Sequence, residues 1–148
     1  MKEAFYLVVG LAVVSGSIFL FLTRPINTEF LIKTVEIEGR VINVEVADDM
    51  LEQTRGLSGR TLLGEGNGML FVYEDPEKQG FWMKDMNFSI DIIWIGEDSS
   101  VVWIEKSVSP DTYPKVFHPE SPAKYVLEVP AGYSEKISID IGDSVYFR

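Results

Sequence analysis

The sequence predicts a mainly β domain of the α+β type, with a single rolled antiparallel sheet or a partly open β-barrel and one or two short helices. Many short runs alternate apolar and polar residues, which is typical of strands with one buried face. Glycine, proline and acidic residues separate these runs and favour turns. A long uncharged segment precedes them and predicts an N-terminal transmembrane helix.

Residues 4–23 form this uncharged segment. As a helix they would extend about 30 Å, the thickness of the bilayer hydrocarbon. We therefore predict a transmembrane anchor over residues 1–24, a short linker over 25–30 and a β-rich domain over 31–148. A cleaved signal peptide is the alternative, since residues 15–17 are small, but the apolar run resumes at Ile18 and is long for such a peptide.

The sequence indicates only weakly on which side of the membrane the domain lies. Lys2 and Arg24 lie at opposite ends of the apolar segment and nearly balance under the positive-inside rule. By analogy with other domains held behind an N-terminal anchor, we expect a single-pass protein whose domain is extracytoplasmic.

Charge and composition exclude several kinds of site. The chain has 13 basic and 23 acidic residues and a net charge of −10, which disfavours binding to a phosphate backbone. It has no cysteine and a single histidine, His118, so thiolate sites and a three-histidine zinc site are excluded. We predict no metal site, no cofactor and no nucleic-acid partner.

The strands are predicted from alternation. Leu31–Glu38 and Val41–Val46 are expected to pair through a turn at Glu38–Arg40. Further strands are predicted at Met69–Tyr73, Gly80–Met83, Phe88–Ile95, Val101–Lys106, Tyr125–Val129 and Ser144–Phe147.

One helix has clear end signals. It is predicted over Ala47–Arg55, with Asp49 as the N-terminal cap, Glu52 as its reciprocal partner and Gly56 closing the helix in the left-handed conformation. A turn or brief helix is expected over Gly132–Ile137. The four prolines of residues 107–122 predict an irregular excursion over the surface.

Several ordered motifs resemble one known family. They are Arg55-Gly56-Leu57, Gly68-Met69-Leu70-Phe71, Phe81-Trp82-Met83-Lys84-Asp85, Ile90-Asp91-Ile92-Ile93, Tyr125 to Gly132 and Gly142-Asp143. Together they resemble the family called "domain of unknown function 192", over about residues 40 to 147. Ser58 and residues 85–89 depart from the usual pattern of the family. The resemblance implies no established activity.

The charged residues of these motifs are the candidate site. On a strand, Asp91 shares a face with Ile93 and Ile95, and a buried carboxylate needs partners. We expect Asp91 to form an ion pair, with Arg55 or Lys84 as the favoured partners, or to accept backbone hydrogen bonds.

Two functional hypotheses use this cluster. The leading one is a membrane-anchored extracytoplasmic binding or accessory module for an unknown ligand, whose binding residues are Arg55, Trp82, Lys84, Asp85 and Asp91. An alternative is an enzyme acting on envelope carbohydrate, in which Asp85, Asp91 and Glu128 supply an acid and a base. A third hypothesis is a structural partner in a membrane complex. The expected partners are therefore the membrane and an envelope polymer or a membrane protein.

Overall fold

The computed structural model describes residues 32–148. The predicted anchor and linker lie outside the described residues. Within the described part, no helix is both long enough and apolar enough to span a membrane.

The domain is mainly β, with two short helices. The strands are β1 (Thr34–Ile37), β2 (Arg40–Ala47), β3 (Asn67–Glu77), β4 (Phe81–Trp82), β5 (Ile90–Ile95), β6 (Val101–Val108), β7 (Val116–Phe117), β8 (Ala123–Pro130) and β9 (Val145–Phe147). The helices are α1 (Met50–Arg55) and α2 (Tyr133–Lys136), and Pro110–Thr112 form a single 3₁₀ turn.

Seven of these strands form one curled sheet, in the order β6-β5-β8-β3-β2-β1-β9, and β4 pairs with β7 in a separate ribbon. The two edges of the large sheet approach each other at one end, where Ser100 bridges to Ser144 and the Val145 amide donates to the Ser99 carbonyl over 2.8 Å. The sheet therefore curls into a half-barrel, as the sequence predicts.

One strand pair differs from the expected antiparallel sheet. Strands β2 and β3 run parallel, with Asn43 opposite Asn67 and Ala47 opposite Phe71. A parallel pair needs a connection that returns the chain to the starting edge. Helix α1 and the loop after it make that crossover, which strand alternation alone does not reveal.

The β1–β2 turn and helix α1 follow their predicted signals with small changes. Glu38 and Gly39 both have positive φ, as a two-residue hairpin turn requires. Helix α1 begins at Met50, three residues later than predicted, because Ala47 is buried at the end of β2. Its cap is Asp49, whose side chain accepts from the Glu52 amide. Gly56 has φ 48° but ψ −133°, outside the left-handed helical region.

The excursion over residues 107–122 is more ordered than expected. It contains the 3₁₀ turn and β7, which pairs with β4 so that Phe81 lies opposite Phe117. Four prolines do not prevent pairing here, because β7 is only two residues long and contains none of them.

The curled sheet has a separate core on each face. The inner core takes buried residues from all seven strands and includes Ile93 and Ile95. The outer core includes Phe71, Trp94 and Val126 and is covered by residues from outside the sheet: Leu57, Phe81, Met83 and Phe117. The predicted alternation along β5 is confirmed, since Ile90, Ile92 and Trp94 belong to the outer core.

Candidate functional site

A small cavity lies on the outer face, between α1 and the sheet. Its volume is about 70 Å³, and its walls come from α1 and the turn that follows it, from β3, from residues 80–82 and 86, and from β8. The cavity is large enough for water or for a group of a few atoms. It is far smaller than the roughly 300–1,000 Å³ of sites for drug-sized ligands.

Strand register places one carboxyl group at the floor of this cavity. Glu128 of β8 lies opposite Met69 of β3 and opposite Ile92 of β5. Both neighbours are buried in the outer core, so Glu128 faces the same apolar side of the sheet. Its side chain is only 5% exposed.

The Glu128 carboxyl is poorly satisfied. Its Oε2 atom is buried and has no hydrogen-bond partner among the described residues. Burial alone raises the pKa of Glu128 to about 8. Burial also raises the pKa of Tyr73, and the nearby charge of Glu128 adds to that shift. The cavity floor is therefore a titratable pair in a low-dielectric environment, a property that functional sites often share.

Three other side chains that line the cavity already donate hydrogen bonds to backbone carbonyls. The Gln53 amide nitrogen donates to the Val72 carbonyl over 2.7 Å. The Thr54 hydroxyl donates to the Met50 carbonyl over 2.6 Å, and the Ser58 hydroxyl donates to the Lys84 carbonyl over 3.0 Å. The oxygen atoms of these three side chains therefore remain able to accept hydrogen bonds.

An exposed aromatic lies at the mouth. Trp82 is 52% exposed, although it lines the cavity. Its ring packs edge-on against Tyr113 with centroids 6.0 Å apart, and the Lys84 ammonium lies 6.0 Å from its centroid. Arg55 is also exposed at the mouth. The Arg60 hydrogen bond lowers the pKa of Glu45 against the opposing effect of burial, and the charge of Arg55 adds a smaller lowering.

Asp91 lies on the opposite face of the sheet. Its Oδ1 accepts from the Ser107 amide at 2.7 Å and from the Gly132 amide at 3.0 Å. Its Oδ2 accepts from both the amide and the hydroxyl of Ser134, at 2.9 and 2.6 Å. Of the two expected arrangements, the structure contains the backbone hydrogen bonds.

The expected ion pair of Asp91 with Arg55 or Lys84 is wrong for the described residues. Asp91 shares the inner face with Ile93, whereas Arg55 lies across the sheet beside the outer core. Local alternation correctly predicts the face of the sheet on which Asp91 lies, but it does not predict which donors bind its carboxylate.

Lys84 and Asp85 form an exposed turn after β4. Asp85 has φ 56°, and its carbonyl accepts from the Gly59 amide over 2.8 Å. The backbone of this turn thus holds the segment after α1 against the β4–β5 connection. Neither side chain lines the cavity.

The structure therefore joins some predicted residues and separates others. Arg55, Trp82 and Glu128 line the same cavity, while Asp91 and the side chains of Lys84 and Asp85 do not. Sequence reasoning missed Gln53 and Tyr73. A signal for Tyr73 was present, because it alternates with Phe71 on the outer face of β3. Within residues 32–148, no group of three potential side-chain ligands could hold a metal ion.

Fold and cavity together define a small curled-sheet domain with a pocket on its outer face that contains one buried carboxyl group. The chain belongs to the DUF192 family, described as "Uncharacterized ACR", whose profile matches residues 33–147. A UPF0127 protein of Pyrococcus abyssi (strain GE5 / Orsay) is 28% identical over 118 residues, covering 76% of this chain and 90% of that protein.

Two solved structures share the fold. A protein of unknown function from Novosphingobium aromaticivorans matches with a TM-score of 0.74 and 31% identity, over 83% of this chain and 89% of the other. A protein from Sinorhizobium meliloti 1021, described as a candidate transcription regulator, matches with a TM-score of 0.72 and 26% identity. That match covers 77% of this chain and 92% of the other.

Proposed function

We propose that this domain is a binding module whose ligand site is the cavity between α1 and the sheet. The observation that carries the proposal is the buried, unpartnered Oε2 of Glu128. A buried acceptor without a hydrogen bond costs free energy that a ligand can recover, and it is uncommon in folded proteins. Arg55 and Trp82 stand at the mouth, where a ligand would enter.

This proposal changes the roles of the expected binding residues. Glu128 replaces Asp91 as the carboxyl that meets the ligand, because the oxygens of Asp91 are occupied by four donors. Trp82 remains a binding residue and acts as an apolar platform at the mouth of the cavity. Lys84 acts indirectly, through its contact with the Trp82 ring.

The carbohydrate enzyme with paired carboxylates finds less support. Such chemistry needs two carboxyl groups facing one cleft, about 5–10 Å apart. Glu128 and Asp91 face opposite sides of the sheet, and Asp85 is exposed on a turn. The raised pKa of Glu128 suits a single acid or base, but no second carboxyl group from residues 32–148 lines the cavity.

The cellular setting is part of the proposal. We propose that residues 4–23 anchor the module in the membrane and that the domain is extracytoplasmic, on the strength of the uncharged apolar segment. The description of the Sinorhizobium protein would suggest a DNA-binding role, but a net charge of −10 opposes one.

A thermal-shift panel tests the binding site. The full chain in non-ionic detergent is screened with divalent metals, sugars, nucleotides, small amines and small carboxylates. We expect at least one hit to stabilise the native protein, and Glu128→Gln to abolish that shift. Glu120→Gln is the matched control, since Glu120 is exposed. A hit that survives Glu128→Gln would place the ligand elsewhere and refute the proposed site.

A further inference from the structure

We propose that the ligand of this cavity is an alkylammonium ion, with its NH₃⁺ group against Glu128 and its apolar chain leaving past Trp82. The inference rests on the proposed function and specifies the chemical class of the ligand. It draws on four features: the acceptors inside the cavity, its aromatic walls, the placement of Arg55 and the size of the cavity.

Four polar side chains of the cavity offer hydrogen-bond acceptors, while Arg55 and Tyr73 add donors to its lining. Gln53, Thr54 and Ser58 have directed donors to backbone carbonyls, as described above. The unpartnered Glu128 oxygen adds an acceptor at the floor. An ammonium group offers three donors and no acceptor, so it complements this set, whereas a carboxylate or phosphate ligand would face oxygen against oxygen.

The walls favour a cation over a neutral donor. Phe71, Tyr73, Phe81 and Trp82 all line the cavity. Phe71 and Phe81 are fixed edge to face with centroids 4.9 Å apart, so the walls are preorganised. Aromatic rings attract cations through their quadrupoles, and the Lys84 ammonium already lies over the Trp82 ring, 6.0 Å from its centroid.

Arg55 forms no ion pair with Glu128 within residues 32–148. Burial raises the pKa of the Glu128 carboxyl group. The charge of Arg55 instead acts on Glu45. Glu128 thus lacks a cationic partner among residues 32–148, and binding of an ammonium ion would supply one while the carboxyl proton passes to solvent.

The size of the cavity limits the ligand to a narrow head group. About 70 Å³ accommodates an ammonium group and one or two carbons. Beyond the mouth, Trp82 and Tyr113 offer exposed apolar surface at 52% and 46% exposure. A short alkyl chain can lie on these rings while its head group is buried.

Saturation-transfer NMR on the full chain in non-ionic detergent tests the inference. Methylammonium, methanol and acetate are compared at about pH 8, near the Glu128 pKa, because each probe carries one reporter methyl group. We expect saturable binding of methylammonium with a Kd no tighter than on the order of 10 mM, since it has few atoms. Butylammonium should bind about tenfold more tightly through its added methylene groups.

Three variants test the inference. Two of them, Glu128→Gln and Arg55→Ala, should have opposite effects on the binding of a cation and of an anion, and Trp82→Ala tests the contact with the alkyl chain. Glu128→Gln should weaken methylammonium binding about tenfold or more, because a charge-assisted hydrogen bond is lost. Arg55→Ala should leave it equal or tighter, since a like charge disappears from the mouth. Trp82→Ala should remove most of the gain from methyl to butyl. Thermal unfolding of each variant shows whether it is folded.

Other outcomes overturn the inference in distinguishable ways. Acetate binding that Arg55→Ala abolishes, or methanol binding as tight as that of methylammonium, would refute an ammonium ligand but leave the proposed site intact. The absence of saturable binding by methylammonium would also refute it. The thermal-shift panel then decides separately whether the cavity binds any other ligand.

Discussion

At the scale of single residues, two buried carboxyl groups have opposite environments. Asp91 receives four hydrogen-bond donors from residues far away in the sequence. Glu128 has one oxygen that no other group in the described part of the chain contacts through a hydrogen bond. Full satisfaction is what a structural carboxylate needs, while an unsatisfied one marks a site where something else can bind. The contrast gives Asp91 a structural role and is the basis for proposing Glu128 as the ligand-binding carboxyl group.

Asp91→Asn should destabilise the domain by about 2–4 kcal/mol. The new amide group would face donors where an oxygen now accepts, so buried N–H groups would lose their partners. Chemical denaturation of the full chain in detergent measures the loss. Asp85→Asn is the control, because Asp85 is exposed on a turn, and it should change the unfolding free energy by less than about 0.5 kcal/mol. Equal effects of both variants would contradict the structural role of Asp91.

Glu128 should make stability fall as pH rises. Its folded pKa of about 8 exceeds the reference value of 4.5, so the folded state binds more protons than the unfolded state between these two values. The stabilising contribution is complete below about pH 4.5 and is lost by about pH 8. Within that window the slope reaches about 1.4 kcal/mol per pH unit. Burial raises the pKa of Tyr73, which also lines the cavity, so Tyr73 stays neutral over this range.

The measurement is denaturation of wild type and Glu128→Gln at a series of pH values. Glutamine cannot ionise, so the stability of the variant relative to wild type should increase across the window. A difference that does not change with pH would show that Glu128 titrates normally. Glu45 and Asp98, whose pKa values are lowered, contribute equally to both proteins and cancel in the comparison.

At the scale of elements, the end of α1 forms one wall of the cavity. Gly56 ends the helix with φ 48°, and a Cβ there would lie 3.2 Å from Cζ of Phe71. The chain then turns along the cavity as Leu57 enters the outer core. The Asp49 cap, the Gly56 turn and the buried Leu57 thus fix the position of α1. This placement brings the exposed Arg55 to the cavity.

Gly56→Ala should destabilise the domain by about 1–3 kcal/mol and reduce ligand binding. Part of the cost is the positive φ, and the rest comes from displacing Phe71, which lines the cavity. Gly59→Ala is the matched control, because Gly59 also has positive φ but a Cβ there would have no neighbour within 4 Å. The control should show only the backbone cost, about 1 kcal/mol, and normal binding. Equal loss in both variants would rule out the contact with Phe71.

At the scale of the whole molecule, the sheet serves two cores. Its inner face fills the half-barrel, and its outer face is covered by α1, the turn after it and the β4–β7 ribbon. A cavity can form on the outer face because that cover consists of separate short pieces. The proposed anchor would connect to this domain through the chain preceding β1.

The anchor is tested in the full chain by placing charge in its centre. Val13→Arg with Val14→Arg should release the protein from membranes, since each arginine costs about 2.5–3.5 kcal/mol at the middle of an inserted helix. Val13→Leu with Val14→Leu is the control and should stay in the membrane fraction. Fractionation with carbonate washing measures the distribution. Wild-type protein that carbonate washing releases from membranes would refute the anchor.

Much of the fold could be predicted from local patterns. Alternation located eight of the nine described strands, all except β7. It also separated Asp91 from Ile92 on the two faces of β5, because side-chain direction depends only on position along a strand. The Asp49 cap and the Glu38-Gly39 turn were predictable because their chemistry lies within a few residues. The family was recognised from motif order.

The sequence by itself therefore determined the family, the β-rich class and the face on which each side chain lies. Only the tertiary structure decided which groups meet. The donors to Asp91 are 16 to 43 residues away, and Glu128 reaches its cavity because β8 lies between β3 and β5. Such contacts depend on strand order and on the parallel β2–β3 crossover, which local periodicity does not encode. The unpartnered oxygen of Glu128 emerges only once those neighbours are in place.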